Sequence, residues 1–254
     1  MVRGVYAPAD VRTDHELRCR AVALVAPPTA VITGASALTI HGVPLLEAGD
    51  PVHVLVPPDQ RFTLGRDVVV HRRRSASGES APWGDARLAT PRRAVLDLLL
   101  GRPVLEAVPL LDVVLRNGLL GPEDVDAVLA GRSDMGIVVA RESAGLADGR
   151  AESRPESWTR VVLVLGGLDP EPQLVIRDEA GFVARVDLAF AAERVAVEYD
   201  GEHHGESSWL RTDRQRLDRL RRAGWVVVFV TKADLYLPQR ELVARVRGAL
   251  LARA

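Results

Sequence analysis

The amino-acid sequence predicts an α/β (α+β) protein from its length, its composition and the order of its apolar patterns. The chain has 254 residues, enough for about two domains that each bury a core. Hydrophobic residues make up 47% of the chain and charged residues 26%, which is typical of globular proteins and excludes a disordered or collagen-like polymer. Over roughly the last hundred residues, helical and strand patterns alternate in the order α-β-β-β-α-β-α.

Charge and cysteine content restrict the class of protein further. The 33 Lys and Arg residues nearly balance the 34 Asp and Glu residues, so the net charge of −1 disfavours a chain coated with nucleic acid but allows a local basic face. The single cysteine, Cys19, cannot form an intrachain disulfide. The sequence shows no signal-peptide pattern, and its apolar runs are shorter than the roughly 20 residues of a membrane span. We therefore expect a cytoplasmic protein without a membrane partner.

Short strands separated by turns are expected in residues 1–89. Strand patterns occupy residues 30–33, 51–57 and 67–71, and prolines bound the second of them. A helix is expected to begin after Thr33 and to end near His41. These patterns predict a small strand and helix region at this end of the chain.

Helical patterns replace the strands in residues 90–150. Thr90 is a suitable N-cap with Pro91 at the first helical position, and residues 102–117 carry an apolar stripe with a period of about 3.6 residues. A polar turn at 148–150 ends this helical connector. The sequence therefore predicts a boundary before residues 151–254.

The third segment, 151–254, combines helices with a mixed sheet. Its apolar runs are those expected of buried strands, and the helices between them require both parallel and antiparallel pairing. The predicted elements are a helix at 153–165, strands at 172–177, 182–189 and 194–199, a helix at 207–223, a strand at 225–230 and a helix at 237–251.

Acidic residues cluster on two of these strands. Glu198 and Asp200 are two residues apart and therefore point to the same face of a strand, and a tight hairpin would bring Asp187 near Glu198. Carboxylates that converge at the end of an apolar sheet repel one another unless a positive charge neutralises them. Mg²⁺ or Mn²⁺, which prefer oxygen ligands, would supply that charge. The alternative is that Glu198 and Asp200 cap an exposed strand end.

Residues 151–251 resemble the very-short-patch-repair-endonuclease-like (Vsr-like) family of the PD-(D/E)XK nuclease superfamily, a branch found mostly in actinobacterial proteins. The matching residues extend over roughly the last hundred of the chain and form a fairly specific combined pattern. They are Glu156-Ser157, 166–170, Gln173, 185–189, 197–201, His204, Asp213-x-x-Arg216-x-x-x-Leu220 and Gly224-Trp225-x-Val227.

This resemblance implies a restriction-endonuclease-like fold and a catalytic role for the acidic residues. In the superfamily the first Asp and the following Glu bind Mg²⁺, which makes Asp187 and Glu198 the implied metal ligands, with Glu156 and Gln173 in support. A lysine two residues after the Glu usually assists the attack, and this chain has Asp200 there. Asp200 is then either a further ligand or a base that orients water. His204 is the candidate for proton transfer.

Arginines are concentrated on the predicted helix 207–223 beside this cluster. Arg211 and Arg216 are the candidate nucleic-acid contacts, and Arg216 either binds phosphate or holds Asp213 in place. Lys232, the one lysine in the sequence, lies far from the position that the superfamily motif gives its lysine.

The front of the chain resembles AbiEi-type antitoxin-related proteins. The resemblance rests on residues 4–7, on 30–42 with Leu38-Thr-Ile-His41-Gly42, and on Thr90-Pro-Arg-Arg-Ala-Val-Leu-Asp97. In those proteins a winged helix-turn-helix comes first and ends in a strand like residues 3–6. The sequence begins at that strand, so we expect either that the start codon is misassigned or that the protein has lost the helices that read DNA in those relatives.

The acidic cluster and the two resemblances imply two alternative functions. The first is a metal-dependent endonuclease that hydrolyses phosphodiester bonds of DNA with Mg²⁺ or Mn²⁺. The second is a non-catalytic regulator, or an antitoxin component of a type IV toxin-antitoxin system, that keeps the nuclease fold and binds nucleic acid or a cognate protein.

Overall fold

The computed structural model describes residues 4–6, 8, 10–11, 13–179, 181–201 and 207–253, with only the backbone for 207–214. The chain divides into two compact units, Met1–Ala147 and Asp148–Ala254. Both units combine helices with a mixed sheet, so the predicted α+β class is confirmed. No helix in the described part of the chain is long and apolar enough to cross a membrane.

The first unit contains a five-stranded sheet in the order β3-β2-β1-β5-β4, with helices before, between and after its strands. The short central strand β1 pairs antiparallel with β2 and parallel with β5. Its elements are α1 (His15–Ala23), β1 (Val31–Ile32), α2 (Gly34–Ile40), β2 (Val52–Val56), β3 (Val68–Arg72), β4 (Ser80–Trp83), β5 (Ala86–Ala89), α3 (Pro91–Leu99), α4 (Val104–Arg116), α5 (Pro122–Leu129) and α6 (Ile137–Leu146).

Local sequence signals account for some of these elements and miss others. The Thr90 hydroxyl accepts the Arg93 amide at 3.3 Å and Pro91 opens α3, as the N-cap pattern predicts. Three elements, α1, β4 and β5, were not expected. The polar α1 has no clear apolar stripe, and β4 contains a proline that is tolerated because β4 lies at the edge of the sheet.

One hydrophobic core unites the strands and the helices of the first unit. Leu38 and Leu55 from residues 1–89 are buried in the same cluster as Leu98 and Leu111 from residues 90–150. The helical connector therefore supplies part of the surface on which the small sheet packs.

A buried ionic network ties α3 to the strands of this unit. Asp97 is completely buried, and its Oδ2 accepts hydrogen bonds from the Thr33 hydroxyl at 2.7 Å and from the Arg93 Nε at 2.8 Å. Arg93 also donates to the Glu79 carboxylate and thereby reaches the start of β4. Because a buried carboxylate is stable only when it is paired, Arg93 holds three parts of the unit together.

We predict that Arg93→Met lowers the free energy of unfolding by about 3–5 kcal/mol, since it leaves Asp97 buried without its main cation. The matched control is Arg92→Met on the same helix, because Arg92 pairs with Asp124 at the surface and exposed pairs contribute below about 1 kcal/mol. Chemical unfolding of both variants measures the difference. Equal losses would show that the buried network has no special role.

The second unit has the predicted α-β-β-β-α-β-α order. Its four-stranded sheet runs β6-β7-β8-β9, with antiparallel pairs except for the parallel β8–β9 pair. The elements are α7 (Arg154–Leu165), β6 (Glu171–Asp178), β7 (Gly181–Phe190), β8 (Val195–Asp200), α8 (Ser207–Arg222), β9 (Val226–Thr231) and α9 (Gln239–Leu251). The crossover from β8 to β9 runs through α8, as parallel pairing requires.

Apolar side chains fix α8 against this sheet. Leu220 is fully buried in one cluster with Val186 of β7 and Ala196 of β8. Trp225, which follows the helix, is buried in the same cluster. This packing places the face of α8 that carries Leu220 over β7 and β8, where the acidic residues lie.

Candidate functional site

The candidate site lies where β7 and β8 separate. The β7–β8 pairing includes Leu188 opposite Val197, and continuing that register by one pair would set Asp187 opposite Glu198. Instead, the Asp187 Oδ2 accepts the backbone N–H of Tyr199 at 2.9 Å. The side chain of Asp187 thus replaces a backbone carbonyl as the acceptor. The two strands part at this point, with an acidic residue on each.

Glu156 approaches the same site from the first turn of α7. The helix is capped by Ser153, whose hydroxyl accepts the Glu156 amide at 3.3 Å. The Glu156 Oε2 accepts the Glu152 amide at 2.9 Å and the Gln173 side-chain amide at 3.0 Å. These bonds fix the Glu156 carboxylate between its own helix and β6.

Gln173 has an unusual backbone conformation inside β6. Its φ is +56°, in the left-handed region that non-glycine residues rarely adopt. Pro172 pairs with Leu188 and Leu174 pairs with Val186, so Gln173 stands opposite Asp187 in the register. A strained residue of this kind persists only where its surroundings hold it, and such residues cluster at functional sites.

The pKa of the Asp187 carboxyl depends on its burial and on the charged groups around it. Burial and, after it, the nearby Glu156 carboxylate raise the pKa of the Asp187 carboxyl to about 7. The Glu198 carboxylate acts in the same direction, while the Tyr199 amide and the Arg216 guanidinium favour the ionised form. Burial is thus the main cause of the raised pKa, and the two neighbouring carboxylates add to it.

Arg216 of α8 contacts this cluster through Glu198. Its two terminal nitrogens donate to the two oxygens of Glu198, at 2.5 Å and 2.6 Å. Only 5% of Glu198 is exposed, so its carboxylate is largely removed from water. The sequence offered phosphate or Asp213 as partners for Arg216, and the contact with Glu198 was missed because no short-range spacing links residues 18 positions apart.

The remaining sequence candidates lie apart or outside the described residues. Asp200 shares the strand with Glu198 but is exposed at its end. His204 falls in 202–206, outside the described residues, and the side chains of Arg211 and Asp213 are likewise not described. The structure thus pairs Gln173 with Glu156 and Arg216 with Glu198. It also places Asp187 close enough to Glu156, Glu198 and Arg216 for their charges to act on its carboxyl.

The donor set of this cluster suits a hard divalent cation. Asp187, Glu198 and Glu156 offer carboxylate oxygens, the ligands that Mg²⁺ and Mn²⁺ prefer. Among the described residues, the Tyr199 amide is the donor to Asp187, and it occupies only one of the two carboxylate oxygens. In the described part of the chain, no three or more His, Cys, Asp or Glu side chains form a group that could hold a metal ion. A cation would therefore be held by two carboxylates and by water or substrate oxygens, as is usual for Mg²⁺.

Comparisons with known proteins place the chain in a family. It is 35% identical over 202 residues to "Uncharacterized protein Rv2248" of Mycobacterium tuberculosis (strain ATCC 25618 / H37Rv), covering 77% of this chain and 72% of that protein. The same values hold for "Uncharacterized protein MT2308" of Mycobacterium tuberculosis (strain CDC 1551 / Oshkosh). The chain belongs to the family of these mycobacterial proteins. No family model and no solved structure matches it.

We predict a pH-dependent stability that originates at Asp187. Its carboxyl has a pKa of about 7 in the folded protein against an ordinary value of 3.8. The folded state then keeps a proton that the unfolded chain releases, so the free energy of unfolding falls as the pH rises from about 4 to about 7. Asp187→Asn keeps an acceptor for the Tyr199 amide but cannot ionise.

Relative to the wild type, the Asp187→Asn protein should therefore gain stability as the pH rises through this window. Urea unfolding of both proteins in EDTA, at several pH values between about 4 and 8, measures the difference. A difference that does not change with pH would contradict the raised pKa.

Proposed function

We propose that this chain is a metal-dependent endonuclease that hydrolyses phosphodiester bonds of DNA in the cytoplasm. The observation that carries the proposal is the pair of carboxylates, Asp187 and Glu198, at the point where β7 and β8 separate. Glu156 adds a third negative charge at the same place. A folded chain keeps so many close carboxylates at a cost in stability, and such costs are typical of functional sites.

Asp187 and Glu198 would hold the cation, each through carboxylate oxygens. When bound, Mg²⁺ or Mn²⁺ polarises the scissile phosphate and lowers the pKa of a water molecule. The chain's own contribution is to orient the two carboxylates. The Tyr199 amide holds the Asp187 side chain, and the parallel pairing of β8 with β9 holds the backbone of Glu198.

Glu156 and Gln173 have a supporting role in this proposal. The Gln173 side-chain amide binds the Glu156 carboxylate at 3.0 Å, which keeps its charge directed at the Asp187 region. Held in this way, the Glu156 carboxylate would be able to orient a water molecule by accepting a hydrogen bond from it. Asp200, exposed at the end of β8, is available to orient a water or a substrate group.

Basic residues near the acidic cluster suit a polyanionic substrate. Arg219 and Arg222 are exposed on the last turns of α8, the helix that carries Arg216. Arginine binds phosphate through paired N–H donors, and these residues lie on the element that packs over the site. The near-neutral net charge of the chain thus coexists with a basic helix beside an acidic centre.

The test is incubation of the purified full chain with supercoiled and linear DNA in Mg²⁺ or Mn²⁺. We expect nicking that Asp187→Ala and Glu198→Gln each reduce by about 100-fold or more, because each removes a ligand of the cation. Glu179→Gln is the matched control, since Glu179 is an exposed carboxylate in the turn between β6 and β7. Absence of cleavage with both cations, or cleavage that survives Asp187→Ala, would refute the proposed activity.

A second candidate is a non-catalytic nucleic-acid-binding regulator, including an antitoxin component that acts with a cognate protein. The observation that favours it is the Glu198–Arg216 ion pair, which neutralises one proposed ligand from within the chain. The same assay distinguishes the two functions. DNA binding that depends on the arginines of α8, without cleavage in either cation, would support the regulator.

A further inference from the structure

We propose that Arg216 is an internal competitor for the cation site, and that a phosphate group of the substrate relieves the competition. This inference rests on the proposed metal-dependent function and concerns the regulation of the same site. In the form that the structure describes, the Arg216 guanidinium takes both oxygens of Glu198. A cation that uses Glu198 as a ligand must first share or displace this contact.

The geometry of the pair explains why the two cations exclude each other. The planar guanidinium matches the carboxylate with two parallel N–H···O contacts at 2.5 Å and 2.6 Å. A divalent cation bound to either oxygen would lie close to the guanidinium carbon, and their charges would repel in a poorly hydrated setting. Glu198 therefore serves one cation at a time in this arrangement.

The surroundings of Arg216 give its guanidinium a route away from Glu198. The side chain of Arg216 is 29% exposed, whereas that of Glu198 is 7% exposed. The arginine reaches the carboxylate from α8 on the solvent side, while Glu198 is fixed in a strand paired with β9. Movement of the arginine is thus the easier change, and it directs the guanidinium toward solvent and a bound polyanion.

The exchange of partners couples the cation to the substrate. A phosphate that binds Arg216 frees Glu198 for the cation, and a cation on Glu198 frees Arg216 for the phosphate. By thermodynamic linkage, each ligand then raises the affinity of the other by the same factor. Without nucleic acid the pair keeps the site in a state with low affinity for metal, which limits activity in the absence of substrate.

The experiment is a calorimetric titration of Mn²⁺ into the full chain without DNA. Arg216→Gln should bind Mn²⁺ about tenfold more tightly than the wild type, because the competing charge is gone while the amide can still donate to Glu198. Arg216→Lys should give a smaller increase, since it keeps the charge but loses the paired geometry. Arg219→Gln is the control, as it removes one exposed charge from the same helix without touching Glu198.

A second titration measures the coupling. With a saturating DNA duplex and Ca²⁺ in place of Mn²⁺, the duplex should raise the cation affinity of the wild type and of Arg240→Gln, which removes an exposed charge from α9 rather than from α8. The same duplex should leave the affinity of Arg216→Gln nearly unchanged. Circular dichroism checks that each variant is folded, and Arg216→Lys supplies the comparison if Arg216→Gln is not.

The outcomes separate this inference from the function on which it rests. Equal Mn²⁺ affinities in the wild type and both Arg216 variants would overturn the competition but leave the metal site and the endonuclease intact. If Arg219→Gln gained as much Mn²⁺ affinity as Arg216→Gln, the gain would come from the net charge of the helix and not from the contact with Glu198. That result would also overturn the competition. No binding of Mn²⁺ by any of the proteins would overturn the metal site itself, together with the proposed function.

Discussion

The second unit depends on how it accommodates acidic side chains at the end of an apolar strand pair. Asp187 and Glu198 stand where β7 and β8 would otherwise continue their pairing. One is held by a backbone amide and the other by a guanidinium, so each keeps a partner as the strands part. The pKa of Asp187 is raised by its burial and, after that, by the neighbouring Glu156 carboxylate. A site of this kind favours an additional positive ligand.

The first unit also contains a buried acidic residue, but its carboxylate is paired within the core. Asp97 is also buried, but Arg93 and the Thr33 hydroxyl satisfy it within a hydrophobic core. That network is closed and joins α3 to the strands, which suits a structural role. Around Asp187, burial and two further carboxylates raise the pKa, and the helix that packs over this region carries exposed arginines. The contrast supports a functional role for the second cluster rather than a structural one.

Sequence patterns predicted the second unit well because each of its elements has a strong local signal. The buried strand β9 and the hairpin of β7 and β8 follow from apolar runs and a tight turn. Proximity of Asp187 to Glu198 followed from the hairpin alone. The Arg216–Glu198 contact and the left-handed backbone of Gln173 depend on tertiary packing, and no short-range pattern indicates either of them. In the first unit, α1, β4 and β5 lack the periodicity or composition that would have indicated them.

The central claim is that the Asp187–Glu198 cluster is a divalent-cation site. Anomalous diffraction at the manganese edge, from crystals of the full chain grown with Mn²⁺ and a short DNA duplex, tests it most directly. The account predicts an anomalous peak within about 2–2.5 Å of a carboxylate oxygen of each residue, with Arg216 turned from Glu198 toward a phosphate. Full density for the Glu198–Arg216 pair, with no peak beside Asp187, would contradict it.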